Sequence, residues 1–550
     1  MKYQLSIVAC VFALSLFAQA PVKTEAAIAM PSKPKLVVGI VVDQMRYDYI
    51  YRYWNKFGND GFKRLVNEGF FCRNTNFNYV PTYTGPGHAS IYTGTTPAVH
   101  GIIANDWYDK TTGKNLYCAG DKNSMGVGTT ANEGKRSPVN MLTSTITDEL
   151  RISSNMKSKV IGVALKDRSS ILPAGHIANA AYWYDGSIGG FITSTYYMKD
   201  LPLWVQEFNK KELAKKYLSK PWTTLLPIEM YTESLPDDNK YEFVAKGETK
   251  PVFPHNLPDL MKANGGLNMI RSTPFGNSLT KDFAIDVMKN ENMGKSEATD
   301  FLAVSFSSPD YIGHAYGPNS VEQEDDYIRL DKDLAELLKF IDEHVGENNA
   351  LIFLTADHAA PEVPSYLIDL KIPAGYVAES KILKDLKDHL LKSHGDTLAL
   401  SFENQQVFLN HAAIDNKKLE LEKVQNDVAA FLLNAEGVAE VLTATTLNNA
   451  SFTEGSRYLM QKGFNAKRSG DVLVNYLPGW VDGYSKTGTT HGSPYSYDTH
   501  VPLIFHGWNI QHGSSAEQVY ITDVAATLAM MLNIQFPNGC TGKPISFLVK

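Results

Sequence analysis

The segment LVVGIVVDQM, residues 36–45, carries the first strong indication of the fold. Its unbroken apolar run, rich in Val and Ile, predicts a strand that is buried on both faces, as strands of parallel sheets are. Asp43 stands at the end of this strand, the place where open α/β sheets bind their ligands. A carboxylate there is often only a helix N-cap, so its meaning depends on the other strand ends.

Further apolar runs share the character of this first strand. They cover residues 159–165, 301–306, 350–354 and 502–505. Helical patterns lie between them, most clearly at residues 321–345 and 522–532. Strands that alternate with helices predict a doubly wound α/β fold, with a mostly parallel sheet flanked by helices. Residues 177–275 and 361–480 fit the alternation poorly, and we interpret both as cap insertions.

The N-terminus has the pattern of a secretory signal peptide. Residues 1–20, MKYQLSIVACVFALSLFAQA, place Lys2 before an apolar run and end in a small-x-small motif. Cleavage as late as residue 27 is an alternative, as is lipidation of Cys10. Residues 30–550 are then one domain, which we expect in the periplasm or secreted. No later segment reaches the roughly 18 apolar residues of a membrane span, so stable membrane insertion is not expected.

Composition describes an ordinary globular protein. Of the 550 residues 43% are apolar and 20% charged, with a net charge of -7. Nucleic acids and anionic membranes attract basic proteins, so neither is an expected partner, and we expect a monomer. Cys72, Cys118 and Cys540 lack CxxC spacing. Export would allow one disulfide, but the sequence leaves the pair open.

Aspartate and histidine residues gather where the predicted strands end. The candidate metal ligands are Asp43, Asp310, His314, Asp357, His358 and His491. A spacing of four lets an aspartate and a histidine share one helix face, as Asp310 and His314 do. Zinc accepts this mixture of carboxylate and imidazole. Six such ligands and a hydroxyl are enough for two ions roughly 3.5–4 Å apart.

A candidate for the hydroxyl ligand lies in residues 78–94, NYVPTYTGPGHASIYTG, where an extended segment is followed by a predicted helix. Thr82 and Thr84 stand at that point. A threonine before a helix is ordinarily an N-cap, and a nucleophile aimed into a site is the alternative. Both uses favour a hydroxyl at a helix N-terminus, so this stretch alone leaves the two open.

The order and spacing of these motifs resemble the alkaline phosphatase superfamily of two-metal hydrolases, and most closely its PafA-type members. The resemblance covers nearly the whole mature chain. Its motifs here are VVDQMR, Thr84, Asp310-x-x-x-His314, TADH and GTTH, with ANDWYD at 104–109 and LKDRSSILPAGH at 165–176. Gly85-Pro86 and Ala359-Ala360 depart from the family pattern beside the functional positions.

The resemblance implies two Zn²⁺ per chain and no third metal at the site, with magnesium or calcium elsewhere left open. The ion that activates the nucleophile would be held by Asp43, Thr84, Asp357 and His358. The ion that stabilises the leaving oxygen would be held by Asp310, His314 and His491. Thr84 would attack a phosphate monoester and form a covalent phosphothreonine that water then hydrolyses.

The resemblance also matches Asn105, Lys166 and Arg168 to positions that contact phosphate. Two zinc ions would neutralise three aspartates and a threonine alkoxide. The cations of Lys166 and Arg168 then match the two charges of a monoester, whereas a diester carries one. This charge match favours small-molecule phosphate monoesters as substrates and makes a monoesterase the preferred interpretation.

Two other functions remain as alternatives. A nucleotide pyrophosphatase/phosphodiesterase of the same superfamily would share the ligands and the threonine. A non-catalytic protein that binds metal or phosphate could keep the same fold. A sulfatase is disfavoured because the C/S-x-P-x-R motif is absent around Thr84. Structural roles are expected for Thr82, His88, His100, His176, Asp498 and His500.

Overall fold

A ten-stranded mixed sheet forms the centre of the structure, a computed structural model that describes residues 33–483 and 486–549. The predicted signal peptide lies outside the described residues. Within them the strands are β1 (Leu36–Val42), β2 (Phe70–Asn76), β3 (Asp106–Asp109), β4 (Lys114–Tyr117), β5 (Gly126–Val127), β6 (Val160–Ala164), β7 (Ala180–Asp185), β8 (Gly190–Ser194), β9 (Asp300–Phe306), β10 (Ala350–Thr355), β11 (Gly375–Val377), β12 (Ala399–Glu403), β13 (Gln406–Leu409), β14 (Val438–Thr443), β15 (Val472–Tyr476), β16 (Trp480–Asp482), β17 (His500–Gly507) and β18 (Gly513–Tyr520).

Helices surround the sheet and connect its strands. Those of the described residues are α1 (Tyr49–Arg52), α2 (Phe62–Glu68), α3 (Thr84–Thr93), α4 (Pro97–His100), α5 (Ile146–Ser153), α6 (Asp167–Ala174), α7 (Leu203–Lys210), α8 (Leu213–Tyr217), α9 (Leu257–Leu260), α10 (Phe275–Asn290), α11 (Ser308–Tyr316), α12 (Val321–Val345), α13 (Pro364–Asp369), α14 (Glu379–His394), α15 (His411–Asn416), α16 (Leu421–Leu433), α17 (Ala444–Asn449), α18 (Gly455–Gly463), α19 (Ser496–Thr499) and α20 (Asp523–Leu532).

The strand order of the large sheet is β18-β2-β17-β10-β1-β9-β6-β7-β8-β5. Its centre is parallel, because β10, β1, β9, β6 and β7 pair in the same direction. Every residue of β1, β9 and β10 is buried, as the unbroken apolar runs predict. The predicted α/β fold with a mostly parallel sheet is confirmed.

Strand β17 differs from the expectation in one respect. The run at residues 502–505 does form a strand of the large sheet, but it pairs antiparallel to both β10 and β2. Apolar runs of this kind report burial on both faces and carry no information about direction. The reversal matters for the site, because the start of β17 lies at the same edge as the ends of β1, β9 and β10.

The clearest predicted helix begins and ends where its capping residues indicate. The Ser320 hydroxyl accepts a hydrogen bond from the backbone N–H of Gln323 at 3.1 Å, which satisfies a donor of the first turn of α12. Gly346 follows the last turn with φ 99°, a conformation that glycine adopts freely. The predicted helix at 522–532 is present as α20, which begins one residue later.

The two regions interpreted as insertions have different structures. Residues 180–194, in the first region, supply β7 and β8 to the large sheet. The second region contains a separate four-stranded sheet, β12-β13-β15-β14, with helices α14 and α16 against it. Its own apolar core includes Leu386, Val407, Val428 and Val474. The domain limits drawn from the sequence stay a prediction.

Two further observations concern thiols and membranes. Cys72, Cys118 and Cys540 are free thiols in the part of the chain that the structure describes, and the first two are buried. Over the same residues, no helix combines the length and the apolar character required to cross a membrane.

Candidate metal centre and nucleophile

Three parallel strands deliver the three aspartates to one edge of the sheet. Asp43 directly follows β1, and its backbone N–H donates to the carbonyl of Phe306 at the end of β9. Asp310 lies in the first turn of α11, just after β9, and Asp357 follows β10. Because the ends of β1, β9 and β10 are in register, their carboxylates meet above the sheet.

His491 lies at the same edge because β17 runs antiparallel to its neighbours. The loop that carries it leads into the start of β17, which lies beside the ends of the parallel strands. Asp498 fixes this loop, because its Oδ2 accepts hydrogen bonds from the backbone N–H groups of Gly492 and Ser493 at 3.1 and 2.7 Å. An antiparallel strand therefore contributes to a ligand cluster made otherwise by parallel ones.

All three candidate histidines present the same ring nitrogen to the cluster. The Nδ1–H groups of His314, His358 and His491 donate to the backbone carbonyls of Thr489, Ala359 and Thr82, at 2.8, 3.1 and 2.6 Å. A histidine that donates from Nδ1 keeps a lone pair on Nε2. Each Nε2 is thus free to act as a ligand, with its ring oriented by a backbone contact.

The ligand atoms form two groups that share one histidine. Nε2 of His358 lies 3.6 Å from Asp43 Oδ1 and 3.7 Å from Asp357 Oδ2, which defines the first group. It also lies 3.9 Å from Asp310 Oδ1 in the second group. The rings of His358 and His491 stack with centroids 3.5 Å apart.

The second group centres on Asp310. Its Oδ1 is 3.2 Å from His314 Nε2 and 3.7 Å from His491 Nε2. The family resemblance implied the same pair of histidines for this aspartate. It did not predict that His358 would stand midway between the two groups.

Buried oxygen atoms without partners show that these residues fit metal ions. Asp43 Oδ1 and Asp357 Oδ2 are buried and accept no hydrogen bond, and Asp43 Oδ2 lies 2.8 Å from the Lys166 ammonium. A buried carboxylate without compensation is costly, and a coordinated cation supplies that compensation. Imidazole with carboxylate is a donor set that zinc accepts.

Burial also sets the protonation of the cluster. It raises the pKa of Asp43 well above its usual range and that of Asp357 to about 7, because the carboxylates are removed from water. Burial lowers the pKa of His491 to about 3, and that of His358 well below its usual value. The two imidazoles are therefore neutral, the form that binds metals.

Thr84 is the first residue of α3 and lies inside the cluster. It is 1% exposed, and its Oγ1 is 3.5 Å from Nε2 of His358. The residue before the helix is Tyr83, in an extended conformation without a side-chain capping hydrogen bond. The Thr84 hydroxyl therefore points to the ligand groups and does not cap its own helix.

Lys166 and Arg168 lie at the start of α6, beside the aspartates. Nζ of Lys166 is 2.5 Å from Asp310 Oδ2 and 2.8 Å from Asp43 Oδ2, so it contacts both ligand groups. Burial disfavours its charge, but attraction from these carboxylates outweighs burial and raises its pKa. The Arg168 guanidinium donates to the Tyr117 hydroxyl at 3.2 Å. Its buried Nε has no partner.

Asn105 approaches the nucleophile helix from another segment. Its Oδ1 accepts a hydrogen bond from the backbone N–H of Gly85 at 2.8 Å, one residue after Thr84. An amide whose oxygen is used in this way keeps its NH₂ group available as a donor. The structure thus brings all of the sequence-predicted site residues to one edge of the sheet.

Two residues at the site were missed by sequence reasoning as functional contacts. Gln44 has φ 62°, and its Nε2 donates to Asp310 Oδ1 at 2.9 Å while its backbone N–H donates to Asp357 Oδ1 at 3.2 Å. His88 donates from Nδ1 to the carbonyl of Thr84 at 2.9 Å. Its position one turn after Thr84 on a predicted helix is a signal that could have identified it. Gln44 lies within the VVDQMR motif, but nothing in that motif indicates its contacts with Asp310 and Asp357.

The other histidines near the motifs make contacts outside the ligand groups. His100 pairs with the Ser90 hydroxyl, His176 with Asp148, and His500 with a backbone carbonyl. Thr82 contributes its carbonyl to the orientation of His491, and its hydroxyl donates to the carbonyl of Ser493. These contacts hold neighbouring segments in place, in agreement with the structural roles expected for these residues.

Comparisons with known proteins cover most of the chain. Residues 37–509 match the model of the type I phosphodiesterase / nucleotide pyrophosphatase family. The chain is 48% identical over 517 residues to a calcium-transporting ATPase of Myroides odoratus, across 93% of this chain and 94% of that protein. It is 45% identical over 520 residues to the alkaline phosphatase PafA of Elizabethkingia meningoseptica, across 94% and 95% of the two chains.

The solved structure of wild-type PafA is also similar. It superposes with a TM-score of 0.91 at 44% identity, across 95% of this chain and 100% of that one.

Proposed function

The chain belongs to the type I phosphodiesterase / nucleotide pyrophosphatase family and, within the alkaline phosphatase superfamily, to the PafA type, and on that premise we propose that its phosphomonoesterase activity proceeds through Thr84. One observation carries the proposal. The Thr84 hydroxyl is buried against two groups of aspartate and histidine ligands that share His358. A hydroxyl placed among such ligands is suited to nucleophilic attack on phosphorus.

We propose two zinc ions as cofactors. Asp43, Asp357, His358 and Thr84 would hold one, and Asp310, His314 and His491 the other. Such ions, when bound, lower the pKa of a hydroxyl and stabilise the charge of a departing oxygen. The alternative of two other divalent ions is tested by the metal content of the purified protein.

The chain's own residues supply the remaining chemistry. Thr84 Oγ1 loses its proton and forms a bond to phosphorus, the bond from phosphorus to the ester oxygen breaks, and the departing oxygen takes up a proton and leaves as the alcohol. Water then attacks the phosphothreonine, and the P–Oγ1 bond breaks to release inorganic phosphate. Thr84 stands at the start of α3, where the helix dipole favours a negative charge on its oxygen and on the phosphoryl group.

Asn105, Lys166 and Arg168 would bind the non-bridging oxygens of the phosphoryl group. Their charges and donors are held in place by Gly85, by the aspartates and by Tyr117. Two cations suit a dianionic monoester better than a diester with one charge. The nucleotide pyrophosphatase/phosphodiesterase alternative is thus disfavoured by the charge of these side chains.

The decisive experiment replaces the nucleophile. We expect Thr84→Ala to lower kcat for an aryl phosphate by about 10³-fold or more, and Thr84→Ser to retain most of the activity because it keeps the hydroxyl. Acid quenching of the wild type followed by peptide mass spectrometry should find phosphate on Thr84. A Thr84→Ala variant that keeps its zinc and its full activity would refute the assignment and favour another nucleophile.

We further propose that the protein is exported to the periplasm or secreted. The support is the signal-peptide pattern of residues 1–20. N-terminal sequencing of the protein from a periplasmic fraction, with the cytoplasmic fraction as control, should find a start between residues 21 and 28. A chain that begins at Met1 in the cytoplasm would contradict this proposal.

A further inference from the structure

A cleft of about 410 Å³ opens beside the second ligand group. One wall is formed by α11, through Tyr311, His314 and Ala315. The opposite wall is formed by β11 and β16, where Tyr376 and Val481 are partners in the strand register. Phe243 lies at the opening, and its backbone N–H donates to the carbonyl of Ala315 at 3.0 Å. Much of its lining is therefore supplied by regular elements, α11, β11 and β16.

His314 connects this cleft with the nucleophile. Its side chain is 36% exposed, whereas those of Asp43, Asp357 and His358 are fully buried. A substrate thus approaches Thr84 past His314. In phosphoryl transfer the attacking and leaving oxygens lie on opposite sides of phosphorus. With Thr84 at the inner end, the alcohol of the ester points outward, into the cleft.

The lining indicates which alcohols fit. Phe243, Tyr311, Tyr376 and Val481 offer aromatic and apolar surface, and Asp482 is the acid among them. None of the described lining residues is Lys or Arg, whereas Lys166 and Arg168 stand at the phosphoryl end. Aromatic faces attract planar apolar groups, and an acid without a cation repels anionic ones. The volume is within the range of pockets for small organic ligands.

We propose that this cleft is a binding subsite for the leaving alcohol and that it selects monoesters of uncharged aromatic alcohols over those with polyanionic leaving groups. The inference rests on the proposed function, because it needs Thr84 as the inner end of the reaction axis. It assigns Phe243 and Tyr376 as specificity-determining residues that contact the alcohol. Tyr311 joins the two ends of the site, since its ring centre is 5.0 Å from Nζ of Lys166.

The test compares benzyl phosphate with methyl phosphate, which both release unactivated alcohols. We expect Phe243→Ala to lower kcat/KM for benzyl phosphate about tenfold and to change that for methyl phosphate less than about twofold, since only the ring contact is lost. Phe243→Leu should restore part of the difference. Tyr51→Ala, which removes another exposed aromatic ring away from the cleft, serves as the matched control.

A second experiment changes the charge of the cleft. Asp482→Asn should raise kcat/KM for ATP relative to methyl phosphate, because it removes the acid that faces a diphosphate leaving group. Equal effects of Phe243→Ala on both esters, or no effect on benzyl phosphate, would overturn the subsite. A wild-type protein that is inactive on every monoester would instead overturn the proposed function, so the two failures are distinguishable.

Discussion

Lys166 is the residue that links the two ligand groups. Its ammonium contacts Asp43 of the first group and Asp310 of the second. It also lies over the ring of Tyr311, which lines the cleft. A side chain with these contacts compensates part of the negative charge of the aspartates. In the proposed reaction it would place a positive charge next to the phosphoryl group, where the charge of the substrate accumulates.

Arg168 supplies the second positive charge and carries a prediction about substrate charge. We expect Arg168→Ala to lower kcat/KM for an aryl phosphate by about 10²-fold and for a bis-aryl phosphate by less than about tenfold, because the guanidinium is matched to the dianion. Steady-state kinetics on both esters measures the difference. Arg64→Ala, which removes a remote ion pair with Asp342, is the control. Equal losses on the two esters would contradict the charge argument.

At this scale the sequence and its family resemblance indicated which side chains gather and how they divide between two groups, but not that one histidine would lie close to both. Asp43, Asp310 and Asp357 were recognisable because each follows an apolar run. The midway position of His358 depends on the relative placement of three segments, which no local pattern encodes. Gln44 was missed because its role follows from a left-handed backbone conformation at a strand end, which is rare for a residue other than glycine.

Among the elements, β17 and α3 have the strongest influence on the site. An apolar run has the same pattern whichever direction its strand takes in the sheet. The antiparallel direction of β17 could therefore not be predicted from residues 502–505. The start of α3 was predictable, since glycine and proline interrupt the extended segment and a helical pattern follows. The close contact between this helix and the loop after β10 was not, because it joins residues that are distant in sequence.

Gly87 allows that contact and carries a prediction about helix placement. A β-carbon on Gly87 would lie 2.2 Å from the carbonyl oxygen of Asp357, so α3 and this loop would have to separate. We expect Gly87→Ala to lower the free energy of unfolding by about 1–3 kcal/mol and to reduce kcat, because Thr84 moves with the helix. Denaturant titration and kinetics measure the two effects.

Gly58→Ala is the matched control for this substitution. A β-carbon there would meet only Asp331 Oδ2, at an ordinary contact distance of 3.4 Å. A Gly87→Ala variant as stable and as active as Gly58→Ala would show that the approach of α3 to Asp357 is not tight.

At the scale of the whole molecule, the ligand groups tie distant segments together. The first group contains buried carboxylate oxygens without hydrogen-bond partners, and one lysine, Lys166, is shared between Asp43 of this group and Asp310 of the second. In the absence of cations their mutual repulsion acts against the closed sheet edge. Metal binding and the stability of the fold should therefore be linked.

Removal of metal is the corresponding prediction. We expect a chelator to lower Tm by on the order of 5 °C and to abolish activity, with both restored by zinc, because ions that bind only the folded state stabilise it. Differential scanning calorimetry with metal analysis measures the shift and the number of ions. Thr84→Ala should keep a metal-dependent Tm, whereas Asp357→Ala should lose most of it. An unchanged Tm after complete metal removal would contradict the link.

The large sheet and its main helices were predictable because buried strands and amphipathic helices have strong periodic patterns. The four-stranded sheet of residues 399–476 was not, since its strands are short, its outer strands β12 and β14 mix buried and exposed positions, and its central strands β13 and β15 are distant in sequence. The cleft was also beyond sequence reasoning, because its walls come from α11, from β11 and β16, and from the segment that carries Phe243.

The hydrogen bond from His491 to the carbonyl of Thr82 joins residues 409 positions apart. A ribosome makes the chain from its N-terminus, so Asp43 and Thr84 are made long before His491 and the strand β17 that follows it. The reaction centre is consequently among the last parts of the molecule to be completed. Turnover of a chromogenic phosphate would thus report only chains that have been synthesised past His491 and have closed this contact, which makes this activity a measure of successful biogenesis.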